Sequence, residues 1–145
     1  ELGVAAITPL STERTEVRLR GERELRKLQH WQQIAVSACE QSGRSKLPKV
    51  HAVTPLAAWL ERCDDEQRFV LHHRAQPLAS PAATPTSVSL LVGPEGGLSE
   101  TEVTAAEAAG FASLALGPRV MRTETAPLAA LAILQARWGD MVLPA

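Results

Sequence analysis

Two glycine- and proline-bearing segments carry most of the chemistry that this chain of 145 residues can offer. Gly93-Pro94-Glu95-Gly96-Gly97 follows the apolar run 87–92 (SVSLLV), and Gly117-Pro118-Arg119-Val120-Met121-Arg122 follows the apolar run 111–116. Glycine lets the main chain approach a ligand and reach conformations closed to other residues. Proline stiffens the same loops by fixing φ. In open α/β sheets ligands sit outside the carboxyl ends of strands. A third strand end, Leu71-His72-His73, is unusual too. The two Gly/Pro loops at the ends of neighbouring apolar runs predict a pocket that holds a flat or bent small molecule through main-chain groups. Taken singly, a strand–GPxGG–helix segment is equally a tight connection.

Several chemistries are disfavoured. The Gly93 loop lacks the Gly-Lys-Ser/Thr of a Walker loop and is not Gly-x-Gly-x-x-Gly, which argues against nucleoside triphosphates and dinucleotides. His72 and His73 are adjacent, so on a strand they face opposite ways and cannot share a metal. His30 and His51 read as surface or satisfied core residues. No nucleophile elbow or triad pattern is present. Cys39 and Cys63 make neither a disulfide framework nor a zinc set, which suits structural thiols in a reducing cytoplasm. Thr123-Glu124-Thr125-Ala126 reads as a helix N-terminus where the dipole favours Glu124.

Positioning these loops requires alternating strands and helices. Glu1-Leu2-Gly3 reads as the last turn of a helix with glycine at the left-handed stop, so part of the domain is expected to precede it. Residues 4–7 read as a short buried strand ended by Pro9, and 11–21 as irregular. Leu25, Leu28, Trp31, Ile34, Ala35, Ala38 and Cys39 recur at helical spacing, predicting a helix over 22–41 stopped by Gly43. Leu47 to Val50 continues in extended form. Thr54-Pro55 predicts an N-cap and first helical position for a short helix to about Arg62. Residues 68–72 predict a strand and 77–85 a loop. Ser99 and Glu102 form a capping box for a helix ending at Gly110. The last helix, 123–138, tolerates Pro127 only in its first turn. It is apolar nearly all round from Ala126 to Ala136, which predicts burial on two sides, the second against a partner subunit. The fold class is α/β with a mainly parallel sheet flanked by helices.

Net charge is −1, so global charge gives no support for nucleic-acid binding. Between residues 11 and 50, however, nine Lys or Arg stand against five acids. This segment can meet phosphate or form a solvated helix face. With three Trp, two Phe and no Tyr the chain is no base-stacking platform. No run approaches the roughly 20 apolar residues of a membrane span, and no signal-peptide pattern is visible.

Taken together, the motifs carry a resemblance. Leu91-Val-Gly-Pro-Glu-Gly-Gly-Leu-Ser99 with Glu102, then Leu116-Gly-Pro-Arg-Val-Met-Arg-Thr-Glu-Thr-Ala126, then Leu134-Gln135 and Trp138-Gly139-Asp140 resemble the bacterial family that methylates N3 of a uridine in 16S ribosomal RNA, ribosomal RNA small-subunit methyltransferase E of the SPOUT superfamily. Glu1-Leu-Gly-Val4, Pro9-Leu10 with Thr12-Glu-Arg14, and Glu40-Gln-Ser-Gly-Arg44 before Pro48 agree, in order along the whole chain. Met121 stands where the family usually has leucine, a swap that conserves volume.

The resemblance implies that residues 1–145 are a SPOUT catalytic domain truncated at its N-terminal end, with the C-terminal part threaded into a deep trefoil knot. It implies S-adenosyl-L-methionine contacted by Leu71, His72, Gly93, Pro94, Glu95, Gly96, Gly97, Leu116, Gly117, Val120, Met121 and Arg122. It further implies a homodimer, no metal, and 16S ribosomal RNA or the small subunit as partner, with a separate N-terminal RNA-binding domain. Uridine N3 carries a proton at neutral pH that must be removed, or its anion stabilised. Arg122, with Arg119 as the alternative, is the candidate for the anion; Glu124 (or Glu95) is the candidate base only where burial raises its pKa, and a capping role for Glu124 stands beside it. Arg14, Arg44 and Arg119 are the candidates for RNA phosphate, Arg14 and Arg44 alternatively for an intersubunit contact. Two other readings stay open: methylation of a ribose 2′-OH, and a silent RNA-binding or assembly module.

Overall fold

The computed structural model describes residues 1–16, 19, 21–72 and 84–141. His73, Arg18, Arg20 and most of the expected 77–85 loop lie outside them. In chain order the elements are β1 (Ala6–Ile7), β2 (Leu10–Ser11), α1 (Glu22–Ser42), β3 (Lys49–Val50), β4 (Thr54–Pro55), α2 (Leu56–Leu60), β5 (Gln67–Leu71), β6 (Val88–Leu91), α3 (Glu100–Ala108), β7 (Ala112–Leu114) and α4 (Thr125–Trp138). Every strand pair among them is parallel: β1 with β3, β2 with β4, and a three-stranded sheet in the order β6-β5-β7. Parallel strands need covered faces, and the side-chain alternation of β5 supplies them. Val70 enters one core with Leu56, Leu60, Leu91, Ala106 and Phe111, where Trp59 and Phe111 pack at 5.5 Å. Phe69, its neighbour, faces the other way toward Leu114 and Leu134, and Trp138 stacks on its ring at 6.1 Å. So α2 and α3 cover one face and α4 the other.

Local signals placed the long helices well. The α1 helix ends where Gly43 reaches φ +71°, and Arg44 N–H bonds back to the Cys39 carbonyl at 3.0 Å, a Schellman stop. The α3 capping box is complete: Ser99 Oγ accepts from Glu102 N–H at 3.2 Å, and the Glu102 carboxylate accepts from Ser99 N–H at 2.9 Å. Pro127 is the third residue of α4.

Three expectations are corrected. Thr54 does not cap α2. Thr54 and Pro55 are strand residues paired with Leu10 and Ser11, and the helix starts at Leu56 and ends at Leu60 rather than near Arg62. The Thr54 hydroxyl donates to the Ala52 carbonyl instead, at 3.0 Å. Leu10 and Ser11 thereby become strand rather than connection. Glu1-Leu2-Gly3 forms no helical turn, although Gly3 does take a left-handed φ of +84°. A Cβ there would meet only the flexible end of Gln135, whose amide donates to Leu2 O at 2.9 Å, so it is the φ that favours glycine. The α4 helix buries Ala130 and Leu134 against its own sheet and leaves Leu128 58% and Ile133 46% exposed on the side expected to meet a partner subunit.

Candidate cofactor and RNA site

The three loops read as a site meet because β5, β6 and β7 are parallel neighbours. Register pairs Val70 with Leu91 and Leu71 with Leu114, which brings all three carboxyl ends to one edge. His72 N–H donates to the Leu114 carbonyl at 3.0 Å and extends the β5–β7 ladder into that edge. Leu71 and Leu116 are half-buried against the Phe69 cluster.

The loop after β6 is shaped by its own main chain. Gly97 N–H donates to the Pro94 carbonyl at 2.8 Å and closes a turn, with Gly97 at φ +69°. Gly93 sits under the returning chain, where a Cβ would lie 2.8 Å from Leu98 N and 3.1 Å from Gly97 C. Only glycine fits there, because the obstacle is backbone and cannot rotate away. The loop after β7 is open by contrast: at Gly117, with φ +102°, a Cβ would meet no atom within 4 Å. Val120 beyond it is 78% exposed. Arg119 is exposed and Met121 half-buried. Arg122 and Glu124 stand 3.9 Å apart with side chains 86% and 69% exposed. Glu124 is the residue before α4 but makes no side-chain cap.

Arg14 joins this edge from the other end of the sequence. Its Nη1 donates to the Gly96 carbonyl at 2.7 Å and reaches the Leu98 carbonyl at 3.5 Å. Beside it, Glu13 N–H donates to Glu102 Oε1 at 2.8 Å, so the capping carboxylate also anchors the 12–15 turn. Arg44 lies elsewhere: Nη2 donates to the Val4 carbonyl at 3.0 Å, and Nη1 is buried with no partner among the described residues. Arg14 and Arg44, expected to face phosphate, thus each commit donors to a carbonyl of their own chain.

Sequence reading gave no hint of these long-range ties, since Arg14 and Gly96 are 82 positions apart. Its one available signal was that Thr12-Glu-Arg14 and the Gly93 loop belong to the same set of motifs. Open depressions of about 440 and 420 Å³ lie away from the three loops, one beside α1 around Ile34, the other around Cys63 and Arg68. Neither carries a glycine loop, so strand-end convergence locates the candidate site better than concavity does. At the amino ends of β5 and β6 the Cys63 thiol donates to Ser89 Oγ at 3.3 Å, and Ser89 Oγ donates to the Asp65 carboxylate. Among the described residues no group of three or more His, Cys, Asp or Glu is placed to hold a metal ion, and no helix is long and apolar enough to cross a membrane.

Known proteins share this sequence pattern and this fold. Residues 1–135 match the family model of the RNA methyltransferase domain. Ribosomal RNA small subunit methyltransferase E of Buchnera aphidicola is 35% identical over 97% of this chain and 58% of its own length. The protein of the same name from Bacillus subtilis is 35% identical over 92% of this chain and 56% of its own length. Among solved structures, ribosomal RNA small subunit methyltransferase E of Neisseria gonorrhoeae, bound to S-adenosylmethionine, superposes with a TM-score of 0.88 at 41% identity, covering 97% of this chain and 58% of that one. A Legionella pneumophila protein in complex with S-adenosylmethionine gives 0.88 at 40% identity, over 93% of this chain and 56% of its own. The chain therefore spans somewhat over half the length of the relatives it matches.

Proposed function

The chain belongs to the RNA methyltransferase domain family, and from that premise we propose that it is the catalytic domain of an S-adenosylmethionine-dependent enzyme that methylates N3 of a uridine in 16S ribosomal RNA. The observation that carries the reading is the convergence of three strand ends, two of them glycine-bearing loops, at one edge of a parallel sheet. The residues fit the cofactor. Gly117 leaves open space for close approach, and Leu71, Leu116 and Val120 offer apolar surface to a purine at the same edge. Leu71, His72, residues 93–97, Leu116, Gly117 and 120–122 would hold it, largely through main-chain groups. When bound, S-adenosylmethionine supplies a methyl group whose sulfonium leaving group is already activated by its positive charge.

The protein's task is then orientation and charge. Holding the acceptor in line with the methyl group supplies much of the rate. Arg122, permanently protonated and exposed to incoming substrate, meets the negative charge that develops on O2 or O4 as N3 loses its proton. Glu124, 3.9 Å from that guanidinium, is the companion carboxylate; at 69% exposure it lacks the burial a base there would need, and solvent is open to take the proton. Arg119, exposed on the same loop, faces phosphate. The same proposal includes a trefoil knot formed by the chain around residues 93–126, a homodimer that covers Leu128 and Ile133 of α4, RNA affinity drawn largely from a region outside residues 1–145, and work in the cytoplasm.

Incubating the chain, joined to the RNA-binding region proposed to lie outside it, with small-subunit RNA and methyl-labelled S-adenosylmethionine, followed by nucleoside mass spectrometry, tests the activity. The expected product is 3-methyluridine. A ribose-methylated product or an unlabelled RNA would overturn the reading.

A further inference from the structure

The Gly93 loop does not hold its shape alone. Thr12 and Thr15 close a small turn: Thr12 N–H donates to Thr15 Oγ1 at 3.1 Å, the two hydroxyls lie 2.8 Å apart, and Thr15 N–H reaches the Thr12 carbonyl at 3.3 Å. Glu102 fixes that turn through the Glu13 amide while capping α3 at Ser99, so one buried carboxylate locks the turn to the end of the loop. From the turn Arg14 reaches over the loop. Its Nη1 contacts the Gly96 and Leu98 carbonyls, and its methylenes lie across Gly96, where a Cβ would meet Arg14 Cβ and Cδ at 3.4 Å each. No carboxylate lies within ion-pair distance of Arg14 among the described residues, so carbonyl oxygens are the neighbours that answer its charge there.

We propose that Arg14 is a positioning residue for cofactor binding: it clamps residues 96–98 from outside and sets the shape of the loop that the ligand meets. The inference rests on the reading of the 93–97 loop as a wall of the S-adenosylmethionine site. A charged donor on a carbonyl makes a stronger hydrogen bond than a neutral one, and two carbonyls two residues apart define a local backbone direction. Without the clamp the loop samples more conformations, and binding must select the competent one, which weakens apparent affinity by the competent fraction. A Cβ at Gly96 would make only ordinary contact with the arginine stem, so the clamp lies in the carbonyl contacts and not in the glycine.

The test is calorimetric titration of S-adenosylmethionine into the unsubstituted chain, Arg14→Ala and Arg14→Lys. Thermal melts without ligand accompany each. Arg14→Ala is expected to raise Kd about ten-fold with a melting midpoint close to that of the parent, since the side chain is exposed. Arg14→Lys should recover part of the affinity because an ammonium can still reach the Gly96 carbonyl. Parent-like Kd for Arg14→Ala would overturn the clamp while leaving the cofactor reading intact. Parent-like Kd together with weakened RNA binding would overturn it in favour of a phosphate contact. If the unsubstituted chain binds no S-adenosylmethionine, the cofactor reading itself falls.

Discussion

At the scale of single residues, types and spacing marked three loops that the fold brings to one edge, but not the partners of the side chains around them. Glycines at 93, 96, 97 and 117 mark the loops, and at Gly93 the returning backbone leaves no room for any other residue. What Arg14 and Arg44 touch was invisible, since basic side chains on a polar segment look alike whether they face solvent, phosphate or a carbonyl. Arg122 carries the chemical prediction. Its guanidinium is expected to act on charge that develops only in the transition state, so Arg122→Ala should lower kcat about 100-fold with KM little changed. Steady-state kinetics on small-subunit RNA would check this, and a change confined to KM would make it a binding residue. Gly93→Ala presses a methyl group onto the Leu98 amide and should weaken S-adenosylmethionine binding even where the variant folds. Glu66 gives a pH prediction away from the site. The Thr86 main-chain N–H at 2.8 Å, then its hydroxyl at 3.0 Å, hold that carboxyl below the ordinary value of 4.5. A lowered folded value means the contribution is present above pH 4.5 and is lost as pH falls through the lowered value. An NMR titration should place the Glu66 midpoint below those of freely exposed glutamates, and Glu66→Gln should flatten that part of the acid limb.

At the scale of elements, legibility followed the range of the deciding interaction. The α1 helix, its glycine stop and the α3 capping box are decided within a few residues, and sequence alone placed them. Thr54-Pro55 has the local form of a helix start, yet the parallel pairing with Leu10 and Ser11 takes both residues into a strand. That pairing joins distant parts of the chain, and no local rule contains it. Short strands suffered most: residues 4–7 and 111–116 shrink to Ala6–Ile7 and Ala112–Leu114, where hydrogen bonding holds only part of each run. Glu102 links the two ranges. It caps its own helix and receives the Glu13 amide, so Glu102→Ala leaves two main-chain donors without their acceptor. Chemical denaturation should show a loss of about 1–3 kcal/mol. Glu102→Gln retains one acceptor oxygen and should lose less.

At the scale of the whole molecule, the sheet does two jobs. Its two faces bury separate apolar clusters around Val70 and Phe69, and its carboxyl edge gathers the three loops. The class of fold was legible because strands and helices alternate along the chain. The assignment of α2 and α3 to one face and α4 to the other was not, because it depends on which side of β5 each residue points. The apolar surface of α4 has an expected consequence at this scale. Leu128→Glu combined with Ile133→Glu should turn a dimer into a folded monomer in sedimentation velocity, with the single-chain core unchanged since both residues are exposed. A monomeric unsubstituted chain would overturn the proposed dimer.

The most direct measurement is an amide NMR titration of the 15.6 kDa chain with S-adenosylmethionine. A cofactor site at the carboxyl edge of the sheet requires saturable shifts at one site per chain, clustered on Leu71, His72, residues 93–98 and 116–122, with smaller changes at Arg14. No shifts at saturating ligand, or shifts confined to the depressions beside Ile34 or Cys63, would contradict it.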